Sequence, residues 1–206
     1  YRLLLSFFSS KPFQVNYFYQ RTAHKKIKQL IKTFKPQHIY CQLIRVSEYV
    51  KSYHEIPKTL DYMDALSKGM ERRVKSSNFL AKQFFSIETK RLRLYENLIF
   101  DYFENTCIIS SQDQNLIFHP KKKNIEIIPN GVDTQFFAPV KSEKKYDLVF
   151  IGNMNYPPNI NGAIYLAKEI FPLLQQQHPT ATLLISGTSP HSSVRELANE
   201  SIKVSG

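Results

Sequence analysis

Two stretches of this chain hold residues whose types and spacing could do chemistry. The first is Leu60-Asp-Tyr-Met-Asp-Ala-Leu-Ser67, with Asp61 and Asp64 three positions apart just past a short apolar run. A carboxylate there could accept the proton of a reacting hydroxyl or hold that hydroxyl in place. Asp64 has a second use open to it, because Asp is a favoured N-cap and a helical pattern begins at Ala65. The second stretch is Gly152-Asn-Met-Asn155, followed at a distance by Gly187. Glycine lets backbone come close to a ligand, and a following helix start offers unpaired N–H groups to an anion. No G-x-G-x-x-G pattern is present, so these glycines fit tight strand-to-helix turns equally well. The six histidines (24, 38, 54, 119, 178 and 191) are scattered without ligand spacing, and no cysteine cluster accompanies them. No metal site is expected.

The elements that must position these residues follow from periodicity. Asp147 to Ile151 is an almost continuous apolar run and reads as a buried parallel strand. Gly152 ends it, the loop closes with Pro157-Pro158-Asn159, and a helix is expected from about Asn161 to residue 177. Its apolar side is Ala163, Leu166, Ala167, Ile170, Phe171 and Leu174. Strands at 181–186 and 202–205 with a helix at 192–199 complete a second alternating unit.

Upstream, residues 1–20 are apolar without clean period and read as helix or loop. Arg21 to Phe34 is an amphipathic helix with Ala23, Ile27, Leu30, Ile31 and Phe34 on one face, ended by Pro36. Strands are expected at His38 to Leu43, Lys58 to Tyr62, Thr106 to Ser110 and Asn124 to Ile128. Helices are expected at Val46 to Ser52 and across Ala65 to Tyr102, the latter broken around Ser76-Ser77-Asn78. The spacing Ser111-Gln-Asp-Gln114 is that of a capping box opening a short helix. Pro129-Asn-Gly-Val-Asp133 reads as a turn and Thr134 to Lys145 as a linker. Strands alternating with helices predict parallel sheets in both halves, an α/β fold.

The 206 residues carry 28 Lys+Arg against 17 Asp+Glu, a net charge of +11, in an otherwise ordinary globular composition. Such an excess implies an anionic partner: nucleic acid, lipid head groups or a phosphorylated substrate. Lys25, Lys26, Lys28 and Lys32, with the series from Lys68 to Arg93, could face an anionic membrane or a lipid-linked molecule, or simply be solvated helix faces. Nucleic-acid binding is the rival reading, although no RNP, KH or helix-turn-helix pattern supports it. Cys41 and Cys107 each lie in an apolar run and read as core residues in a reducing compartment. No apolar run approaches the length of a membrane span. Without an initiator Met, and stopping just after a strand-like run, the chain reads as an internal fragment.

Several strings occur in order: Ile127-Ile-Pro-Asn-Gly-Val-Asp133, Phe136-Phe-Ala-Pro139, Asp147-Leu-Val-Phe-Ile-Gly-Asn-Met154, Tyr156-Pro-Pro-Asn-Ile-Asn-Gly162, Glu169-Ile-Phe-Pro-Leu-Leu174 and Leu184-Ile-Ser-Gly187. With Tyr95-Glu96, Ile108-Ile-Ser-Ser111 and Leu60-Asp-Tyr-Met-Asp64 upstream, residues 55–206 resemble family-four glycosyltransferases of the two-Rossmann GT-B fold, above all bacterial ones of exopolysaccharide assembly. The resemblance implies that residues 1–136 are the C-terminal part of an acceptor-side domain and 137–206 the first part of a donor-side domain, both incomplete. It implies a nucleotide-sugar donor between the domains, with Gly152, Asn153, Met154 and Gly187 toward its diphosphate. Asn130 and Gly131 fall at the interdomain hinge. Asp64 and Asp61 occupy the loop in which the family places a polar catalytic or acceptor-orienting residue, frequently a histidine that is absent here. The resemblance further implies a glycan or lipid-linked acceptor, retention of anomeric configuration and a cytoplasmic location, with peripheral contact to anionic membrane expected from the basic helices. The nucleotide-sugar is a co-substrate, and neither cofactor nor metal is expected. The family's donor-gripping glutamate motif has no match here, so the isolated chain is expected to lack transferase activity. Epimerases and phosphorylases share paired Rossmann domains and stay as alternatives, the Pro-Asn-Gly-Val-Asp string favouring transfer.

Overall fold

A computed structural model describes residues 9–75 and 77–206; the apolar stretch at 1–8 and the expected helix break at Ser76 lie outside them. Contacts divide the chain into two units, Tyr1–Asp133 and Thr134–Gly206.

In the first unit, α1 (Phe13–Phe18) and α2 (Arg21–Phe34) precede β1 (Ile39–Gln42). Lys35 in the left-handed conformation closes α2 before Pro36. No residue of α2 is fully buried: Ala23 and Ile27 pack on the core, but Leu30 and Phe34 are exposed. The stripe predicted from its period is therefore used only in part. Ile44–Tyr49 forms 3-10 turns where an α-helix at Val46 to Ser52 was expected. Leu43 at φ 72° and the β-branched Ile44 and Val46 bend the chain too tightly there for regular α-helix.

Strand β2 (Lys58–Asp61) leads to the antiparallel helical hairpin α3 (Leu66–Lys75) and α4 (Phe79–Phe100). Asn78 caps α4 by accepting the Ala81 N–H at 3.0 Å. After β3 (Asn105–Ile108), the cap of α5 (Ser111–Leu116) is Ser110, one residue earlier than the capping box predicts. Its hydroxyl accepts the Asp113 N–H and donates to the Asp113 carboxylate, a closer fit than Gln114 would give. Strand β4 (Glu126–Ile127) completes a four-stranded, all-parallel sheet in the order β1-β2-β3-β4. Leu60, Tyr62, Leu92, Ile99 and Ile108 form its core, with the thiols of Cys41 and Cys107 buried and free.

The second unit runs β5 (Leu148–Ile151), α6 (Pro157–Tyr165), a π-turn at Leu166–Ile170, α7 (Phe171–Gln177), β6 (Leu183–Ser186), α8 (Ser192–Arg195) and β7 (Ile202–Ser205). Its sheet is parallel, in the order β5-β6-β7. Two expectations need correction. The helix begins at Pro157, four residues early, because proline fits the first helical turn, where N–H groups have no intrahelical partner. The π-turn then absorbs Pro172, which lacks the N–H of a regular α-helix and crowds the preceding turn. Strand β5 is also not buried on both faces. Leu148 and Phe150 meet the helices with Ala163, Ala167 and Phe171, whereas Val149 and Ile151 are 56% and 75% exposed. Period-2 alternation puts these two on the sheet face that the unit's own helices do not cover.

Candidate functional site

In parallel α/β sheets, ligand-facing loops lie at the carboxyl ends of the strands. In the second unit each strand ends directly in a glycine: Ile151-Gly152, Ser186-Gly187 and Ser205-Gly206. These glycines lie side by side. A Cβ on Gly187 would sit 1.6 Å from the Gly152 carbonyl oxygen, and one on Gly206 would sit 2.4 Å from that of Gly187. Gly187 also holds φ +153°, which L side chains rarely adopt. Gly152 donates to Ser186 O and Gly187 to Ser205 O, so the row is stitched across the sheet. The edge is a shelf of closely packed backbone: the Asn159 side chain lies 2.8 Å from the Cβ direction of Gly152 and Pro190 2.6 Å from that of Gly206, so packing itself demands glycine here.

The loop above the shelf is rigidly held. Asn153 accepts the Asn155 N–H on its side-chain oxygen at 3.0 Å, and its carbonyl accepts the Asn159 amide at 3.0 Å. Its own side-chain NH₂ remains exposed as a donor. Met154 lies differently from the ligand-facing position that the resemblance implies. Its side chain is fully buried, and its backbone pairs with Thr188 and His191, so it anchors the loop from beneath. The start of α6 is likewise not the source of free N–H groups expected from a generic helix terminus. Pro157 and Pro158 have none, and the Asn159 and Ile160 N–H groups both bond to Tyr156 O. The Gly152 and Gly187 N–H groups are committed to Ser186 and Ser205, so of these residues the Asn153 side-chain NH₂ is the donor left for an anion, with the helix dipole behind it.

At the opposite edge Asp147 fixes register, accepting both the Thr182 N–H and hydroxyl at 2.8 Å. These bonds hold its carboxyl below the usual range.

In the first unit, the carboxyl ends of β1, β2 and β3 bring Tyr40, Asp61 and Cys107 together. Asp61 pairs in register with Gln42 on one side and Cys107 on the other. It is buried, and both oxygens are engaged: Tyr40 donates its hydroxyl at 2.6 Å, and the Met63 N–H donates at 2.8 Å. The second bond stabilises Met63 at φ 63°, costly for a side chain without local polar support. Its hydrogen bond to Asp61 pushes the Tyr40 phenol up, and burial with the nearby Asp61 charge pushes up the Cys107 thiol. Asp61 thus shapes the loop that presents Asp64.

Asp64 is the accessible carboxylate of the pair. It does not cap α3: the helix begins at Leu66, and the Ser67 N–H is taken at 2.9 Å by Glu96 from α4. The Asp64 carboxylate has no hydrogen-bond partner among the described residues, although its backbone N–H donates to Tyr62 O at 2.8 Å. Partial desolvation, then the charge of Asp113, raises its carboxyl, while Arg45 and Arg72 oppose the rise. A free carboxylate with raised basicity at a strand end is suited to accepting a proton.

Glu96 enters the sequence reading only within the Tyr95-Glu96 pair of the resemblance, with no role assigned to it. It is fully buried, its second oxygen has no partner among the described residues, and desolvation pushes its carboxyl up to about 7. Asn130 and Gly131 lie exposed in an irregular segment after β4, and the turn expected at 129–133 falls instead at 134–137. A Cβ on Gly131 would meet nothing within 4 Å, so packing does not demand glycine there. Glu196 and Glu200 are exposed around the end of α8.

No protein-family model matches this chain. It is 26% identical over 186 residues to an uncharacterized 44.6 kDa protein in the cps region of Klebsiella pneumoniae; the match covers 86% of this chain and 46% of that protein. The chain thus spans about half the length of the curated relative it matches. An α/β chain with two parallel sheets is therefore distantly related to a protein of that region.

Proposed function

We propose that this chain belongs to a glycosyltransferase of polysaccharide biosynthesis, with the two-Rossmann GT-B architecture and a nucleotide-sugar donor. The observation that carries the reading is the exposed side-chain amide of Asn153 beside the row of Gly152, Gly187 and Gly206 at the carboxyl edge of the second sheet. An exposed amide donor on Asn153, at the carboxyl end of a parallel strand and beside backbone that projects no Cβ, suits the diphosphate of a nucleotide-sugar. The relative's place in a capsule polysaccharide region supports the same reading.

The Asn153 side-chain amide receives the diphosphate, which lies against the backbone of Gly152 and Gly187, while Met154 fixes the loop from the core. Asp64 accepts the proton of the acceptor hydroxyl, or orients it, as the sugar–phosphate bond breaks and the diphosphate departs. Asp61 is a positioning residue. Asn130 and Gly131 give the join between units its freedom. The helix dipole offsets part of the charge of the departing diphosphate, and no metal is assigned to these residues.

The acceptor is a glycan or lipid-linked molecule, met at the inner face of the cytoplasmic membrane. The tip of the α3–α4 hairpin supports peripheral contact. Phe79 and Leu80 are 72% and 80% exposed, and Arg72, Arg73, Lys75 and Lys82 surround them in sequence and are exposed. Among the described residues no helix is long and apolar enough to cross a membrane. The test is sugar transfer from a panel of labelled nucleotide-sugars into lipid- or glycan-extractable material, by this chain and by a longer protein containing it. Transfer by the longer protein that is lost in its Asp64→Asn variant supports the proposal. Absence of transfer and of nucleotide binding in both, with salt-sensitive DNA affinity, replaces it with nucleic-acid binding.

A further inference from the structure

Helix α3 begins without a side-chain cap of its own. Ala65 stands just before it, its carbonyl accepting the Lys68 and Gly69 N–H groups at 3.0 and 3.3 Å, and its methyl group offers no acceptor. The missing acceptor comes from another helix: the Glu96 carboxylate on α4 takes the Ser67 N–H at 2.9 Å. Residue 96 also holds the other end of the same loop, its backbone carbonyl accepting the Tyr62 hydroxyl at 3.0 Å. Tyr62 and Ser67 are both buried, and between them the loop exposes Asp64. Residue 96 therefore clamps both ends of the loop that carries the exposed carboxylate.

An amide would serve that clamp as well. Glutamine offers Ser67 the same acceptor, yet the chain keeps a carboxylate whose second oxygen is buried with no partner among the described residues. Such a group is costly, and costly buried acids concentrate where proton transfer is managed. Burial raises the Glu96 carboxyl, the bonding at Ser67 opposes the rise, the charge of Asp64 adds to it, and Arg93 on α4 opposes it. Arg93 is itself engaged, its guanidinium 4.2 Å from the centre of the Phe118 ring. Facing Asp64 are the Asp113 carboxylate on α5 and two guanidinium groups, Arg45 from the turn after β1 and Arg72 from α3. One carboxyl is exposed and one enclosed, and the loop that carries the first is fastened by the second.

We propose that Glu96 is a positioning residue for Asp64, fastening its loop and, by its own charge, setting how strongly Asp64 draws a proton. Coupling of this kind is mutual: the charge on Asp64 makes Glu96 harder to ionise, and ionised Glu96 makes Asp64 a better proton acceptor by the same factor. Asp64, the exposed member, ionises first. Glu96 follows at about 7, and above that point Asp64 is the stronger base. The use of Asp64 on an acceptor hydroxyl rests on the glycosyltransferase reading; the coupling of the two carboxyls does not.

The experiment is a ¹³C NMR titration of the side-chain carboxyls of the 206-residue chain, run on the parent, Asp64→Asn and Glu96→Gln, with the Ser67 amide resonance reporting that the clamp is intact. Asp64→Asn should weaken the hold of Glu96 on its proton at least about threefold, equivalent to half a pH unit. Glu96→Gln should keep the Ser67 amide where it is, because the acceptor survives. A second arm follows sugar transfer by a longer protein containing this chain. Its kcat should rise with pH through the ionisation of Glu96, and Glu96→Gln should hold at the low-pH level, which loss of a merely structural contact would not produce. Coupled carboxyls without any transfer would remove the glycosyltransferase reading and leave the coupling standing. An unchanged Glu96 midpoint in a folded Asp64→Asn protein overturns the proposal, as does transfer by Glu96→Gln with the parent's pH profile.

Discussion

Replacing Glu96 by Gln gives the sharpest energetic test of the first unit. Glu96 is fully buried, with one oxygen on the Ser67 N–H and the other unpartnered. Burial raises its midpoint from 4.5 to about 7. Between those values the folded protein holds a proton that the unfolded chain has lost, so stability falls as pH rises. Below the unfolded midpoint neither state gains; above the folded one the full loss is in place. At ~1.36 kcal/mol per pH unit, the displacement amounts to about 3 kcal/mol. Glutamine keeps the acceptor for Ser67 and cannot ionise. The two proteins should match within about 0.5 kcal/mol near pH 4.5, and Glu96→Gln should be more stable by about 3 kcal/mol at pH 8.5. The assay is urea unfolding at a series of pH values, followed through the methyl resonances of Leu60, Leu92 and Ile99, which report on the first unit. Parallel stability curves, or a glutamine variant less stable at pH 8.5, would refute the reasoning.

Four further variants separate structural from chemical roles. Gly187→Ala drives a Cβ into the Gly152 carbonyl at a φ that alanine avoids, and should destabilise the second unit by at least about 3 kcal/mol, read as earlier loss of the Leu183 and Ile185 methyl signals in urea. Asp61→Asn cannot accept both the Tyr40 hydroxyl and the Met63 N–H. It should lower stability by about 1–3 kcal/mol, whereas Asp64→Asn should fold as the parent does; equal effects in urea would contradict the separation of roles. Charge at the hairpin tip, Phe79→Glu with Leu80→Glu, should abolish sedimentation with anionic vesicles while leaving circular dichroism unchanged, and undiminished sedimentation would remove the tip from any membrane contact.

The parts of this fold written in local pattern were legible from sequence. Arg21–Phe34 shows as a helix because its 3.6-residue period and following proline are local signals, and the break before Phe79 because Asn78 is a good cap. Prolines misled where their position mattered more than their type: Pro157 and Pro158 read as loop but open a helix. The apolar run of β5 could not disclose that Val149 and Ile151 face away from the unit's helices, because a continuous apolar run does not say whether one or both faces of its sheet are covered. The site was legible in part. Glycines after strands were visible, but the contact of Gly187 with the Gly152 carbonyl is tertiary and no spacing announces it. Glu96 was invisible as a buried acid because a carboxylate on a helix ordinarily reads as a solvated face, and only the approach of α3 encloses it. Met154 could be placed in the right loop from sequence, but not on its buried side.

The most direct test of the account is a titration of the ¹⁵N-labelled chain with uridine and guanosine diphosphates and their sugar conjugates. The account predicts saturable shifts at the amides of Gly152, Asn153, Gly187 and Thr188 and at the side-chain NH₂ of Asn153, with Asp147 and Thr182 at the opposite edge unmoved. Shifts confined to the amino edge, or none at the glycine shelf with any nucleotide, would contradict it.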